Sequence, residues 1–153
     1  MPFEIAINPT NLKVNGHAHI LEGDSTADFD RVPVGTPGNL VTSNYSIQRD
    51  QDIIVRFHWQ TSGIFTAFLG GGKWTCDVLL EQMGGGETPV NPKAVIGDTG
   101  TPNFYELDVK INKNSLSQGV YRVVARLRWG FASGKPGPIV GFNDLGFINV
   151  YED

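Results

Sequence analysis

Apolar and polar residues alternate with a period of two over four stretches of this chain, residues 52–60, 74–82, 104–112 and 119–129. This period sends successive side chains to opposite faces of an extended strand, whereas an amphipathic helix needs apolar residues three or four positions apart. The alternation therefore predicts four strands, each with one buried face. The buried faces consist of Ile53, Val55, Phe57, Trp59; Trp74, Cys76, Val78, Leu80; Tyr105, Leu107, Val109, Ile111; and Tyr121, Val123, Ala125, Leu127, Trp129.

Shorter apolar runs predict further strands at residues 3–7, 45–48 and 146–151, and segments rich in glycine and proline separate the runs. Many short strands joined by turns are typical of a β-sandwich. A chain of 153 residues has the usual size of one domain. We therefore expect an all-β fold with a single antiparallel β-sandwich domain, to which residues 1–43 add an N-terminal strand or hairpin extension.

A corner motif at residues 116–123 has a leucine at 116, a glycine at 119 and a tyrosine at 121. This spacing resembles the link into the sixth strand of immunoglobulin-like domains, over about residues 44–153. The resemblance implies an immunoglobulin-like sandwich in which Gly119 relaxes a turn and the Tyr121 hydroxyl bonds a backbone group upstream. It also implies strands B, C, E, F and G at residues 52–60, 74–82, 104–112, 119–129 and 146–151. The cysteine pair of antibody domains is replaced by residues such as Val55 and Val123.

Charged residues provide a check on this strand order, in which F lies beside C and E beside B. The expected neighbours are Arg122, Arg126 and Arg128 with Asp77 and Glu81, and Arg56 and His58 with Glu106 and Asp108. Opposite signs meet in both sets, although each exposed pair stabilises the fold by only about 0.2–1 kcal/mol. Three arginines on one strand also suggest an anion site, but the salt-bridged surface is the favoured interpretation.

Composition excludes several classes of function. Sixteen acidic and twelve basic residues give a net charge of -4 without long runs of either sign, so we expect no nucleic-acid partner. No apolar run approaches the roughly 20 residues of a spanning helix, so we expect no membrane insertion. The first residues do not read as a signal peptide, which favours a cytoplasmic location and leaves an extracellular one as the alternative. Cys76 is the only cysteine and is predicted to be a core residue.

Two histidines are candidates for metal binding. Residues 12–20 contain Asn15-Gly16 between alternating runs, which predicts a hairpin turn. His17 and His19 would share a face and could bind a zinc or copper ion if Glu22 or His58 came near. Two partly exposed polar residues are the favoured interpretation, so no metal or other cofactor is assigned. The acidic residues Glu22, Asp24, Asp28 and Asp30 suggest a calcium site, because Ca²⁺ binds oxygen ligands on loops. Phe29 interrupts these residues, so a solvated loop is the favoured interpretation.

Catalytic motifs are absent from the sequence: it contains no nucleophile elbow, HExxH helix or phosphate-binding glycine loop. His58, Asp108 and a serine could be drawn as a triad, but any chain with three histidines permits such a drawing. We therefore expect a protein that is not an enzyme. A metal-dependent enzyme built on His17, His19 and His58 is the third-ranked alternative.

Two loops rich in apolar residues provide the candidate binding site. Residues 61–73 join strands B and C, residues 130–143 join F and G, and both loops would lie at the same end of the sandwich. Large apolar groups on loops can form a surface for a partner, or can fold down over the core. The leading hypothesis is a module that binds a protein partner or its own copies through these loops or a strand edge. Its candidate residues are Ile64, Phe65, Phe68, Phe131 and Phe142, with Lys73 and Lys135 on the rim.

A carbohydrate-binding module is the second hypothesis, because sandwiches can present aromatic platforms on which sugar rings stack. Exposure of Trp59, Trp74 or Trp129 would favour it. The alternation places all three tryptophans inside, which counts against it.

Overall fold

The computed structural model describes residues 3–8, 11–22 and 46–152, which form β-strands and one short 3₁₀ helix. The strands are β1 (Phe3–Asn8), β2 (Leu12–Glu22), β3 (Ser46–Gln48), β4 (Ile53–Ser62), β5 (Lys73–Gln82), β6 (Gly86–Glu87), β7 (Lys93–Gly97), β8 (Asn103–Ile111), β9 (Gly119–Gly130) and β10 (Pro136–Tyr151). The 3₁₀ helix (Ile64–Leu69) lies between β4 and β5. The predicted all-β class is confirmed.

Two sheets pack face to face. One has the strand order β1-β2-β4-β8, and the other has the order β3-β10-β9-β5-β6, with β7 also paired to β5. All of these pairs are antiparallel except β10 with β3, which is parallel. The predicted N-terminal extension supplies β1 and β2, and β2 pairs with β4 from Lys13 to Glu22. The first two strands are therefore part of the sandwich itself.

The core lies between the sheets and contains the predicted inward faces. Phe57, Trp59, Trp74, Cys76 and Leu127 are fully buried, and the Trp59 ring stacks on Tyr105 with ring centroids 5.2 Å apart. Leu107 is the member of the predicted faces that stays partly exposed. Period-two alternation locates strands well here because each sheet has one face packed on the other.

The predicted corner at Tyr121 is confirmed. Its hydroxyl donates a hydrogen bond of 2.8 Å to the carbonyl oxygen of Ser117, four residues upstream. Gly119 between them has a φ of +155°, which residues with a side chain rarely adopt. The pairs β4–β8 and β5–β9 are the neighbours expected from the charge pattern. That the sandwich is immunoglobulin-like in type stays a prediction.

The hairpin turn predicted at Asn15-Gly16 is wrong. Strand β2 runs through both residues without a break, and they pair with Gln60 and Trp59 on β4. A Cβ atom on Gly16 would lie 2.1 Å from the carbonyl oxygen of His58. Glycine therefore stands here because the two backbones approach closely, and not because the chain turns.

The connection predicted over residues 130–143 is also wrong in length. Strand β10 begins at Pro136 and pairs with β9 from there onward, so the true connection is a short hairpin. The sequence analysis did not predict a strand at Pro136 and Pro138, because proline within a strand is expected only at its start, at a bulge or on a sheet edge. The register shift between Pro136 and Ile139 accommodates them.

Some sequence predictions fall outside the described residues. The acidic stretch Asp24, Asp28 and Asp30, with Phe29 among them, belongs to this group, and so does the side chain of Glu22. The calcium hypothesis therefore stays a prediction.

Candidate functional site

The two predicted binding loops meet at one end of the sandwich. The 3₁₀ helix follows β4 and leads into β5, while the hairpin of residues 131–135 follows β9. Lys73, the first residue of β5, pairs with Gly130, the last residue of β9. This pairing brings both loops to the same sheet end, as the sequence predicted.

Trp129 holds the two loops together. Its indole Nε1 donates a hydrogen bond of 3.1 Å to the carbonyl oxygen of Leu69, and the Phe131 ring packs edge-on against it with centroids 4.8 Å apart. A Cβ atom added to Gly72 or to Gly137 would lie 2.4 Å from the indole ring. The ring therefore fits between Gly72, in the first loop, and Gly137, at the start of β10, so that it supports both loops.

Four apolar side chains of this end are open to solvent, and we call them the loop-end surface. Their exposed fractions are 74% for Ile64, 40% for Phe65, 75% for Phe68 and 49% for Phe131. Leu69 and Ile139, from the two predicted loops, are buried in the core. Both sequence interpretations therefore describe part of the structure, since two residues cover the core and four face outward. A binding role for the four stays a prediction.

Phe142 was predicted to belong to this group, but the structure places it elsewhere. It is 52% exposed and lies within β10 opposite Arg126, on the outer face of the six-stranded sheet. The prediction was wrong because β10 begins at Pro136 and extends over residues that the sequence assigned to a loop.

A cleft of about 350 Å³ borders the loop-end surface. Phe131, Val95 and Val140 contribute apolar walls, and three cationic side chains also line the cleft. These are Lys73, Lys135 and Arg128. The sequence analysis assigned the two lysines to the rim, whereas it named Arg128 only in the arginine set and left Arg128 and Val140 out of the candidate binding residues. Both are outward residues of β9 and β10, and the alternation of those strands could have indicated them.

Ion pairs lie beside the cleft on the outer face of the six-stranded sheet, and Arg128 belongs to both the cleft and these pairs. Asp77 is fully buried and accepts hydrogen bonds from the Arg126 Nε at 3.0 and 3.1 Å. A further bond joins the Nη2 of Arg126 to the same carboxylate. Hydrogen bonding to Asp77 raises the pKa of the Arg126 guanidinium, which favours its charged form. The Arg128 Nε lies 3.7 Å from Asp77, which confirms the expected β5–β9 charge pairing.

A second candidate site is the histidine cluster, formed by His17, His19 and His58. The register of the β2–β4 pair places His17 directly opposite His58. His19 lies two residues further along β2, on the same face of the sheet. Ring centroids are 5.3 Å apart for His17 and His58, 5.4 Å for His19 and His58, and 5.7 Å for His17 and His19. The sequence predicted that His17 and His19 share a face, and His58 is the neighbour that it offered as a third group.

Burial of this cluster differs from the expectation. The three histidines are 8%, 3% and 0% exposed in chain order, and Arg56 on the same sheet face is 6% exposed. The sequence assigned this face to partly exposed polar side chains. The face opposite the sandwich core is therefore also shielded around the cluster.

Acidic and basic side chains of β4 and β8 flank the cluster. Arg56 donates to the Asp108 carboxylate through Nε at 2.8 Å and Nη2 at 3.2 Å. The Nδ1 of His58 lies 3.9 Å from the Glu106 carboxylate. The carboxylate of Asp108 thus faces Arg56, whereas a triad would require it to face His58. In this conformation no group of three or more His, Cys, Asp or Glu side chains within the described ranges is arranged to hold a metal ion.

Comparisons with known proteins identify no relatives. No family model matches the chain, and neither a curated protein nor a solved structure matches it. Within the described residues, no helix has the length and apolar character needed to cross a membrane.

Proposed function

We propose that this protein is a non-enzymatic interaction module that binds a protein partner or a second copy of itself through the loop-end surface. The observation that carries the proposal is the exposure of four large apolar side chains, Ile64, Phe65, Phe68 and Phe131, at one end of the sandwich. Soluble monomers seldom expose such groups together, and aromatic side chains are enriched where proteins bind one another. Trp129 contacts the Phe131 ring in one loop and the Leu69 carbonyl oxygen in the other, which favours binding with little rearrangement.

The adjacent cleft indicates the chemistry of the partner. Lys73, Lys135 and Arg128 bring positive charge to a protein whose net charge is -4. Within the described part of the chain, neither lysine forms an ion pair with a carboxylate. A surface that offers carboxylates beside apolar side chains would complement the cleft and the aromatic residues together.

The experiment is light scattering over a dilution series of the purified protein, followed by the double variant Ile64→Ser, Phe68→Ser, whose two residues are 74% and 75% exposed at the loop end. Met83→Ser is the matched control, because Met83 is 53% exposed at the opposite end of β5. We expect the wild type to associate at high concentration, the double variant to remain monomeric, and the control to behave like the wild type.

Two outcomes would contradict parts of the proposal. Association that persists unchanged in the double variant would exclude the loop-end surface and favour a strand edge. A wild type that stays monomeric at every concentration would exclude self-assembly and leave a different protein as the partner. Circular dichroism checks that both variants fold, since residues this exposed should tolerate serine.

A further inference from the structure

A row of outward side chains forms the floor of the cleft beside the loop-end surface. The register of the six-stranded sheet places Thr75 of β5 opposite Arg128 of β9. Thr75 has Val95 of β7 on its other side, and Arg128 has Val140 of β10 on its other side. The two valines are 52% and 46% exposed. The floor therefore offers hydrogen-bond donors that are flanked by apolar groups.

The cleft continues from this floor to the hairpin of residues 131–135. Gly130 is the next outward residue of β9 after Arg128, and because it has no side chain it leaves the space above it open. A hydrogen bond of 3.0 Å from the Phe131 N–H to the Lys135 carbonyl oxygen closes the hairpin. The closed hairpin brings an aromatic ring and a positive charge to this end of the cleft.

Positive charge dominates the cleft. Lys73, Arg128 and Lys135 line it, whereas the described lining residues include no aspartate or glutamate. Asp77 lies beside the cleft but is fully buried and accepts hydrogen bonds from Arg126. Because the two arginines share this one carboxylate, they and Asp77 sum to one positive charge, to which the two lysines add. The cleft therefore attracts an anion, although the net charge of the protein is negative.

Arg128 has unused hydrogen-bonding capacity. Its Nε is buried and has no hydrogen-bond partner among the described residues, since the 3.7 Å to the Asp77 carboxylate is too long for a hydrogen bond. Its side chain is 41% exposed and lines the cleft. A guanidinium holds its N–H donors in a planar fork that matches the two oxygens of a carboxylate. Arg128 is therefore the cleft residue best suited to bind one.

We propose that the cleft binds a carboxylate that is carried on an apolar group, with Arg128 as the principal binding residue. Lys73 and Lys135 add attraction, and the apolar group packs on Val140 and Phe131. These apolar walls favour such a ligand over inorganic phosphate, which has no apolar surface to bury.

A protein chain that ends in an apolar residue supplies both groups at its C-terminus. The proposal rests on the proposed function for the carrier of the carboxylate, which is a protein partner. It deepens that function, since it names the chemical group that the partner places in the cleft.

The experiment titrates matched probes into the intact isotopically labelled protein and follows the backbone amide signals by NMR. N-acetylphenylalanine is the free acid, its amide is the same group without the charge, and inorganic phosphate is a plain anion. A short peptide that ends in phenylalanine is used with a free and with an amidated C-terminus. We expect the acid and the free-ended peptide to bind, the peptide more tightly. Both amides and phosphate should bind at least about 10-fold more weakly.

Variants of two arginines locate the site. Arg128→Gln should weaken binding of the acid by about 10–100-fold, because it removes charge-assisted hydrogen bonds. Arg122→Gln is the matched control and should bind like the wild type. Arg122 lies on the same face of β9 and pairs with Asp144, and it is not among the described residues that line this cleft. Arg128→Lys keeps the charge without the fork and should give an intermediate affinity.

The double variant Ile64→Ser, Phe68→Ser separates this proposal from the proposed function. Neither residue is among those described as lining the cleft, so the variant should bind the acid like the wild type while its association is weakened. Loss of association and loss of acid binding are thus measured in different variants, and the failure of one proposal can be told from the failure of the other.

Four outcomes would overturn the proposal. A wild type that binds neither the acid nor the free-ended peptide would exclude the site. Phosphate bound as tightly as the acid would exclude a role for the apolar walls, and acid binding without peptide binding would exclude a protein C-terminus as the carrier. Equal losses in Arg128→Gln and Arg122→Gln would indicate a diffuse effect of charge.

A second variant keeps the test decisive if circular dichroism shows that Arg128→Gln does not fold. Lys135→Gln changes an exposed residue of the hairpin and should leave the fold intact. It should weaken binding of the acid several-fold and make that binding less sensitive to salt, because one of the attracting charges is gone. Unchanged affinity and unchanged salt dependence would count against the site.

Discussion

Cys76 has the properties of a core residue at the scale of a single side chain. It lies on the inward face of β5 and is fully buried. Burial raises the pKa of its thiol well above the usual 9.0, and the nearby charge of Asp77 adds to this rise. The thiolate is the reactive form of cysteine. Burial blocks access of a reagent to Cys76, and the raised pKa keeps the thiol protonated, so both oppose reaction in the folded protein. The sequence interpretation of Cys76 as a small core residue agrees with this placement.

We expect native protein at pH 8 to react negligibly with a chromogenic disulfide reagent. Addition of denaturant should release one reactive thiol per chain, since unfolding removes the burial and returns the pKa to its ordinary value. The denatured sample is its own control for thiol content. Prompt reaction of the native protein would show that this region of β5 opens readily.

At the scale of elements, the close approach of β2 to β4 accounts for Gly16. We expect Gly16→Ala to lower the free energy of unfolding by about 1–3 kcal/mol, because the added methyl group would collide with the backbone of β4. Gly97→Ala is the matched control, since a Cβ atom at Gly97 meets no atom within 4 Å. Urea unfolding of both variants measures the difference. Equal stability of the two would mean that β2 can move away from β4 without cost.

The sequence predicted those elements whose pattern is local. Strands β4, β5, β8 and β9 have one face in the core, so alternation alone located them. Strand β10 was recognised only from Gly146 onward, because two prolines and two glycines occupy its first half. The 3₁₀ helix was missed because six residues are too few for a helical period to be visible.

The sites show the same limit of sequence reasoning. Four of the exposed apolar residues could be placed at the loop end from the sequence, because strands with a clear alternation flank the first loop and begin the second. Phe142 was misplaced, because the prolines of β10 concealed that the strand extends over it. From the sequence, His58 could be given only as an alternative to Glu22 for the neighbour of His17 and His19. The register between β2 and β4 decides which side chain lies opposite His17. Register depends on packing across the whole sheet, which no local pattern contains.

At the scale of the whole molecule, the three tryptophans report on the integrity of the core. Trp59 and Trp74 are fully buried, and Trp129 is 5% exposed. We expect acrylamide to quench the native fluorescence weakly and the unfolded fluorescence several-fold more strongly. The spectrum should also stay unchanged when soluble glycans are added. Strong native quenching, or a spectral shift with glycans, would revive the carbohydrate-binding alternative.

Asn143 joins the two sheets of the sandwich. Its side-chain Oδ1 accepts a hydrogen bond of 2.8 Å from the backbone N–H of Ala18. Ala18 lies on β2 beyond Gly16, which is the last residue of β2 that pairs with β1 among the described residues. A backbone donor on a strand edge can otherwise recruit a strand from a neighbouring molecule, which is the kind of contact through which fibrils grow. Because the Asn143 side chain occupies this donor, one backbone group fewer is available at this edge for such growth.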